Sequence, residues 1–364
     1  MNDTPTTVVD ARWIDKAGTT TFSRSLLEGL ADVRPPGRWV LWGPEAMIGP
    51  ILWPGVVHVP TTVDPSAWFG QRSAFRVPRG DLILHPHQTR PWHRLPAATC
   101  VLDLIQLQDP RAAIRAAKAV RLRAAVRAAR LLFTISGSVR DELIATFHVD
   151  PQAVTVLNLP VDAAAAGRVA ARRAKQPPDR VILAVGRFVP HKNLDRLVQA
   201  FSRTRFAATG GQLHLLGGTA EQLSVGTPLP RGLRVLGVVD QAGLEDALSG
   251  ATALIQASLV EGYGLPVSEA LVAGVPVMSS PVPAVTEFGP VGVPVFDPRS
   301  VAAIADTIDR TIDLVDQGRY WAAVDRAAWL PNRPTRATLA RQVLGALATI
   351  NPGRRPAPGR KRLP

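Results

Sequence analysis

The segment Glu261-Gly262-Tyr263-Gly264-Leu265-Pro266-Val267-Ser268-Glu269 holds the residue types best suited to chemistry. Proline tolerates the first turn of a helix, where its missing N–H costs nothing, and glycine suits the position just past a helix end. Pro266 and Gly274 therefore frame a short helix. Gly262 and Gly264 fall in the loop that feeds it, with Tyr263 between them and Leu265 following. Unpaired N–H groups and the positive end of the dipole make a helix start an anion site, and glycines let a phosphate approach the backbone. Glu261 stands before this helix and Glu269 is expected within its first turn. Two ionised carboxylates there suit hydrogen bonds to vicinal hydroxyls, about 1.5–3 kcal/mol each. Taken alone, Glu269 could equally complement the dipole and Glu261 face water.

A second loop, Gly186-Arg187-Phe188-Val189-Pro190-His191-Lys192-Asn193, also joins an expected strand to an expected helix. Asn193 is a suitable cap for that helix. Arg187 offers a bidentate fork and Lys192 a point charge, a pair suited to clamping a diphosphate that departs with negative charge. In isolation such a pair also suits a solvated surface.

These loops need a frame. With 364 residues the chain is long enough for two domains. After residue 180 it alternates regularly: strands are expected at Val181–Val185, Leu213–Leu216, Val235–Leu236, Ala253–Ile255 and Val275–Met278. Helices are expected at Leu194–Phe201, Leu244–Leu248, Val267–Val272 and Val301–Ile312. Strand and helix in alternation mean a parallel sheet with right-handed crossovers. The first half reads similarly, with strands at Val8–Val9, Trp39–Trp42, Thr99–Leu104, Leu131–Ile135 and Val154–Leu157. Residues 50–96 are rich in Pro and Trp and show no clear period. The expected plan is a domain over 1–162, a linker over 163–179, a domain over 180–332, and a C-terminal helix within 333–350 that either packs on its own domain or crosses back. A basic disordered tail over 351–364 completes it. Ligands in such sheets bind at the carboxyl ends of the strands.

Composition narrows the partners. Hydrophobic residues at 46% and charged residues at 20% describe a globular protein with full cores. No apolar run is long enough to span a bilayer, and the N-terminus lacks a basic start followed by an apolar core, so a cytoplasmic location is expected. The single cysteine, Cys100, sits in an apolar stretch and reads as a small buried hydrophobe. The net charge of +13 favours an anionic partner: nucleic acid, a membrane surface or a phosphorylated small molecule. Arg111, Arg115, Lys118, Arg121, Arg123, Arg127 and Arg130 crowd one Ala-rich stretch, which suits the inner face of an anionic membrane or merely a solvated face. No aromatic–basic interleaving or recognisable module accompanies them, so nucleic acid is not the expected partner. No His, Asp or Cys grouping has metal-ligand spacing, and neither a metal nor a cofactor is expected.

With these motifs in order, the C-terminal half resembles the retaining GT-B glycosyltransferases of family 4, the group that includes mannosyl- and rhamnosyltransferases. Glu261 and Glu269 match the family's Glu-x7-Glu motif; Gly186, Arg187 and Lys192 match its Gly-Arg…Lys loop. Leu236-Gly237-Val238 resembles the loop beside the nucleobase, and Pro283 to Pro298, with Glu287, its Pro-Glu…Asp-Pro stretch. More loosely, Asp10-Ala11-Arg12 followed by Gly18 resembles the acceptor-side loop. Ile135 to Ser138 resembles a strand-to-helix serine junction, and Asn158 to Asp162 the Pro-Asn-Gly-Val-Asp segment.

The resemblance implies an α/β fold of the GT-B type, two Rossmann-like domains whose parallel sheets face a central cleft. It implies a sugar moved from a GDP-, UDP- or dTDP-linked donor to a glycan, lipid-linked or other hydroxyl acceptor, with retention and without metal. Glu261 would contact the donor sugar and Glu269 the ribose. Arg187, Lys192 and the amides from Gly262 to Leu265 would hold the diphosphate. Asp103 matches the acid of the family's His-Asp pair, but Leu102 replaces the histidine. His85, His87 and His93 lie on a neighbouring loop, where structural roles are expected. Leu102 keeps open a sugar-nucleotide-binding homologue with impaired catalysis, and an epimerase on the same fold is a further alternative.

Overall fold

The computed structural model describes residues 5–14, 20–61, 77–88, 93–224 and 229–350. The contacts divide the chain into two compact units, one holding residues up to Pro160 together with those from Pro334, the other spanning Val161–Arg333. Gly18 and the basic tail over 351–364 lie outside the described residues.

The first unit is built on a parallel sheet of strands β1 (Thr6–Asp10), β2 (Arg38–Gly43), β3 (Val56–Pro60), β4 (Leu82–His85), β5 (Ala97–Val101), β6 (Ala129–Thr134) and β7 (Val154–Val156). Their order is β3-β2-β1-β4-β5-β6-β7. β4 and β5 are apolar over most of their length because helices or loops cover both faces of a parallel sheet. The helices are α1 (Thr20–Val33), α2 (Ala112–Ala128) and α3 (Gly137–Phe147), the last capped by Ser136, whose hydroxyl accepts from the Val139 amide. Val101, Leu122, Leu132, Val139 and Leu143 form one core around β5 and β6, and Cys100 of β5 is fully buried. Burial pushes the Cys100 thiol up, so it stays protonated and inert.

The second unit begins with α4 (Ala163–Arg173), capped by Asp162, which accepts from the Ala164 and Ala165 amides. The stretch expected as a linker is thus largely helix. Arg168 grips the buried Glu245 of α6 (Gln241–Gly250) with bonds of 2.8 and 2.6 Å, and α4 packs along that helix. The sheet comprises β8 (Val181–Val185), β9 (Gln212–Leu216), β10 (Leu233–Gly237), β11 (Ala253–Gln256) and β12 (Val277–Ser279), all parallel and ordered β10-β9-β8-β11-β12. Helices α5 (Leu194–Phe201), α7 (Leu265–Val272) and α8 (Val301–Asp316) complete it. Its core holds Ile182, Leu197, Phe201, Leu213, Ile255, Met278, Ile304 and Ile308.

The last helix, α9 (Arg336–Leu347), returns to the first unit and packs on α1. It buries Leu339, Ala340, Val343 and Leu347, and Arg336 pairs with Glu28. The helices approach so closely at Gly29 that a Cβ there would collide with the Arg336 carbonyl. Among the described residues, no helix is long and apolar enough to cross a membrane.

Candidate functional site

In both sheets the chain reverses direction across the sheet after its first three strands, which creates a crevice at the carboxyl ends of two neighbouring strands. In the second unit those strands are β8 and β11, adjacent in the sheet. The loops leaving them are the two singled out above. They are tied together: the Leu259 amide donates to the His191 carbonyl (2.8 Å), and Asn193 Nδ2 donates to the carbonyls of Ala257 (3.0 Å) and Pro298 (2.7 Å). Asn193 occupies the cap position of α5 at φ 60°, but its side chain makes this cross-loop link rather than capping the helix.

Glycines shape the floor. Gly186 has φ 144°, and a Cβ there would sit 3.0 Å from Lys192 Cε, so the lysine stem lies across it. At Gly217, φ 118°, a Cβ would come 2.5 Å from the Gly186 carbonyl oxygen. The Gly217 amide donates to the Gly237 carbonyl (2.7 Å), linking the ends of β9 and β10. Leu236 and Val238 flank Gly237 and are 39% and 81% exposed, an apolar lip on this edge of the sheet.

Lys192 Nζ donates to Glu261 Oε1 at 2.5 Å. Arg187 is exposed, and its guanidinium has no ion pair or hydrogen bond among the described residues. The α7 helix starts at Leu265 with Pro266 in its first turn, and Gly264 before it adopts φ 100°. The amides of Gly262, Gly264 and Leu265 donate to no protein acceptor among the described residues. They are the unpaired donors of a helix start, in the loop that Lys192 reaches through Glu261. Tyr263 is buried: its ring stacks on Phe288 at 5.3 Å, and its hydroxyl accepts from Arg333 at 3.3 Å. It steadies the loop from behind. Glu287 is exposed just after the short helix Pro283–Thr286.

Glu269 lies just past the first turn of α7 rather than within it, at its fifth residue. It is half-buried, and its carboxylate has no hydrogen-bond partner among the described residues. Burial, with Asp162 close by, pushes its carboxyl up to about 7. The sequence reading also missed Gln256 and Ser258. Both are buried at the end of β11, and both donate to Glu261 Oε1, at 2.8 and 2.7 Å. A glutamine and a serine breaking the apolar run five and three residues before Glu261 were the available signal.

The first unit has its own crevice, between β1 and β4. Asp10 and Arg12 are almost fully buried and joined by bonds of 2.7 and 2.8 Å, with the guanidinium 4.0 Å over the Trp42 ring. Arg12 is thus spent on a structural pair rather than offered to an acceptor. His85 binds Asp10 Oδ2 (3.1 Å) and His93 Nε2 (2.9 Å). Burial alone would raise the Asp10 carboxyl, but Arg12 and His85 hold it well below the usual carboxylate range. Burial, with Arg121 and His85, lowers His87 to about 4 against the pull of Asp10, so its imidazole is neutral at neutral pH. Asp103 is half-buried and accepts from the Ile105 amide (3.1 Å). Leu102 is 4% exposed, with its side chain in the core. Among the described residues, no three His, Cys, Asp or Glu side chains group to hold a metal ion.

Residues 179–313, which span this second-unit site, match the family described as glycosyl transferases group 1. Over that stretch the chain is similar to the group 1 glycosyl transferases. The chain is 31% identical over 196 residues to the glycogen synthase of Mycobacterium tuberculosis, covering 52% of this chain and 47% of that one. It thus spans about half the length of the glycogen synthases it matches. It is 24% identical over 267 residues to the O-antigen chain mannosyltransferase RfbU of Salmonella typhimurium, covering 71% of this chain and 73% of that protein. A crystal structure of Anabaena HepE in complex with UDP and glucose superposes with a TM-score of 0.68 at 16% identity, over 95% of this chain and all of the other. At that identity the likeness shows the fold, which is GT-B: two Rossmann-like α/β units with parallel sheets.

Proposed function

We propose that the protein transfers a sugar, with retention of anomeric configuration and without a metal, from a nucleoside-diphosphate donor to a hydroxyl acceptor. The observation that carries this reading is the contact of Lys192 with Glu261, at the loop whose Gly262, Gly264 and Leu265 amides are unpaired among the described residues, with Arg187 exposed on the same loop as Lys192. Two cations and a helix start stabilise a departing diphosphate, and positioned charge of this kind is the main contribution such a reaction requires. Glu261 takes the donor sugar's hydroxyls and Glu269 the ribose. Leu236 and Gly237 border the base. The mannosyltransferase and the UDP-bound structure among the relatives favour a GDP-, UDP- or dTDP-linked sugar.

Asp103 belongs, on this reading, to the catalytic residues, contributed by the first unit. The acceptor is a glycan or lipid-linked glycan, and α2 supports a peripheral contact with anionic lipid at the inner face of the membrane. That helix carries Arg115, Lys118, Arg121, Arg123 and Arg127 without an acid, and residues 111–117 are all exposed. Basic residues near such a surface contribute about 1 kcal/mol each.

The decisive experiment is a thermal-shift panel of GDP-, UDP-, dTDP- and ADP-sugars in EDTA, followed by NMR of the product's anomeric centre. One nucleotide class should raise the melting temperature, and the product should keep the donor's configuration. Failure of every nucleotide to stabilise the protein would remove the donor site; an inverted product or a strict metal requirement would remove the mechanism. Flotation with anionic vesicles at low and high salt tests the membrane contact, and salt-indifferent or absent binding removes it.

A further inference from the structure

The bonds around Glu261 all run one way. Gln256 Nε2 donates to Ser258 Oγ (2.5 Å) and to Glu261 Oε1 (2.8 Å). Ser258, whose oxygen already accepts from Gln256, gives its own proton to Glu261 Oε1 at 2.7 Å. Lys192 Nζ, which can only donate, reaches the same oxygen at 2.5 Å. The reverse amide orientation of Gln256 would set carbonyl oxygen against carboxylate oxygen, so the network fixes its rotamer. One carboxylate oxygen thus collects three donors, while Oε2 has none among the described residues.

Turning the carboxylate would break all three bonds together, so Oε2 presents its lone pairs in one direction. Hydrogen bonds weaken steeply once their angle departs from linear, and a site built to bind a hydroxyl rejects a ligand that places it elsewhere. Gln256 and Ser258 are 3% and 2% exposed, at the end of a strand whose other residues are Ala253, Leu254 and Ile255. Packing alone would be served by apolar side chains there.

We infer that Gln256 and Ser258 are positioning residues that lock Glu261 with Oε2 facing the donor sugar, and so determine which hydroxyl epimer the enzyme accepts. This rests on the reading above that Glu261 meets the sugar. Neither residue needs to touch the donor; both act through the carboxylate.

The test uses the full chain with Gln256→Met, Ser258→Ala and Ser258→Thr. Affinities are measured for the nucleoside diphosphate that stabilises the wild type, and for two of its sugar donors differing at one hydroxyl centre, such as UDP-glucose and UDP-galactose. Gln256→Met and Ser258→Ala should bind the bare nucleotide within about twofold of wild type. Their preference between the two epimers should fall about tenfold or more, whereas Ser258→Thr should keep it. An unchanged preference, or a parallel loss of nucleotide binding and preference, would overturn the inference. Should Gln256→Met fail to fold, the serine pair decides alone. Wild-type protein that binds no nucleoside diphosphate would instead refute the donor site itself.

Discussion

Asp162, the cap of α4, lies near Glu269 of α7, and burial together with this neighbouring charge raises the Glu269 carboxyl to about 7. An unfolded glutamate titrates near 4.5. Below 4.5 both states hold the proton and Glu269 costs nothing. From 4.5 to 7 the unfolded chain ionises first, so stability falls as pH rises; above 7 the loss levels off at about 3 kcal/mol. Glu269→Gln should therefore be increasingly more stable than wild type from pH 5 to 8 in urea melts without nucleotide. A constant difference across that range would show that the carboxyl is not perturbed. With donor the dependence reverses: ribose hydroxyls donate to the ionised form, so affinity should climb from pH 6 to 8 in the wild type and stay flat in Glu269→Gln.

Arg187 and Lys192 should separate in their effects. Arg187 is exposed without a partner among the described residues, whereas Lys192 neutralises a part-buried Glu261. Arg187→Ala should leave the melting temperature unchanged and weaken donor binding about ten- to a hundredfold. Lys192→Ala should weaken binding as much and also destabilise the free protein by about 1–3 kcal/mol, because the part-buried Glu261 then has one fewer donor. Calorimetry with donor and scanning without it distinguish the two. Equal donor affinities in wild type and both variants would place the diphosphate elsewhere.

Much of this site was legible because its signals are local. Pro266 and Gly274 mark the ends of α7, and Gly274 takes φ 75° just past its end. The strand Val181–Val185 and the helix Leu194–Phe201 match their expected bounds because each carries a clear apolar pattern. The strands within residues 50–96 were not legible. β3 pairs with the sheet on one side only and is nowhere fully buried, while β4 is four residues long and ends on a histidine. Helix α4 read as a linker because it buries only Ala165, Ala166 and Val169, too little side chain to leave a period. Its arginines bind Glu245 and carbonyls at the α6 end, contacts between residues more than seventy positions apart. Gln256, Ser258 and Asp162 escaped for a related reason. Neutral or common polar residues acquire their role only when the sheet brings loops together.

Gly264 offers a test of the helix start that needs no charge change. Its φ of 100° is strained for any residue with a side chain, and a Cβ would approach Val282 Cγ2 to 2.9 Å. Gly264→Ala should cost about 1–3 kcal/mol of stability. It should also displace the unpaired amides and reduce nucleoside-diphosphate affinity more than tenfold. A melting temperature within one degree of wild type, with donor affinity retained, would show that the loop relaxes freely and that its glycines are not needed for the anion site.

Leu102 stands where the family resemblance calls for a histidine, yet restoring that histidine should not help. The Leu102 side chain is 4% exposed, and its amide donates to Gln88 Oε1 at 3.4 Å. An imidazole in its place would enter an apolar environment, with a burial cost of about 1–3 kcal/mol if no partner meets it. The neutral His87 and the His85–Asp10 pair already occupy the carboxyl end of the adjacent strand β4. Leu102→His should accordingly melt several degrees lower, given about 2–4 °C per kcal/mol for a unit of this size. Its turnover with the preferred donor should not exceed that of the wild type. A large gain in turnover would mean that position 102 can turn into the site and that its leucine, rather than the acceptor offered, limits the reaction.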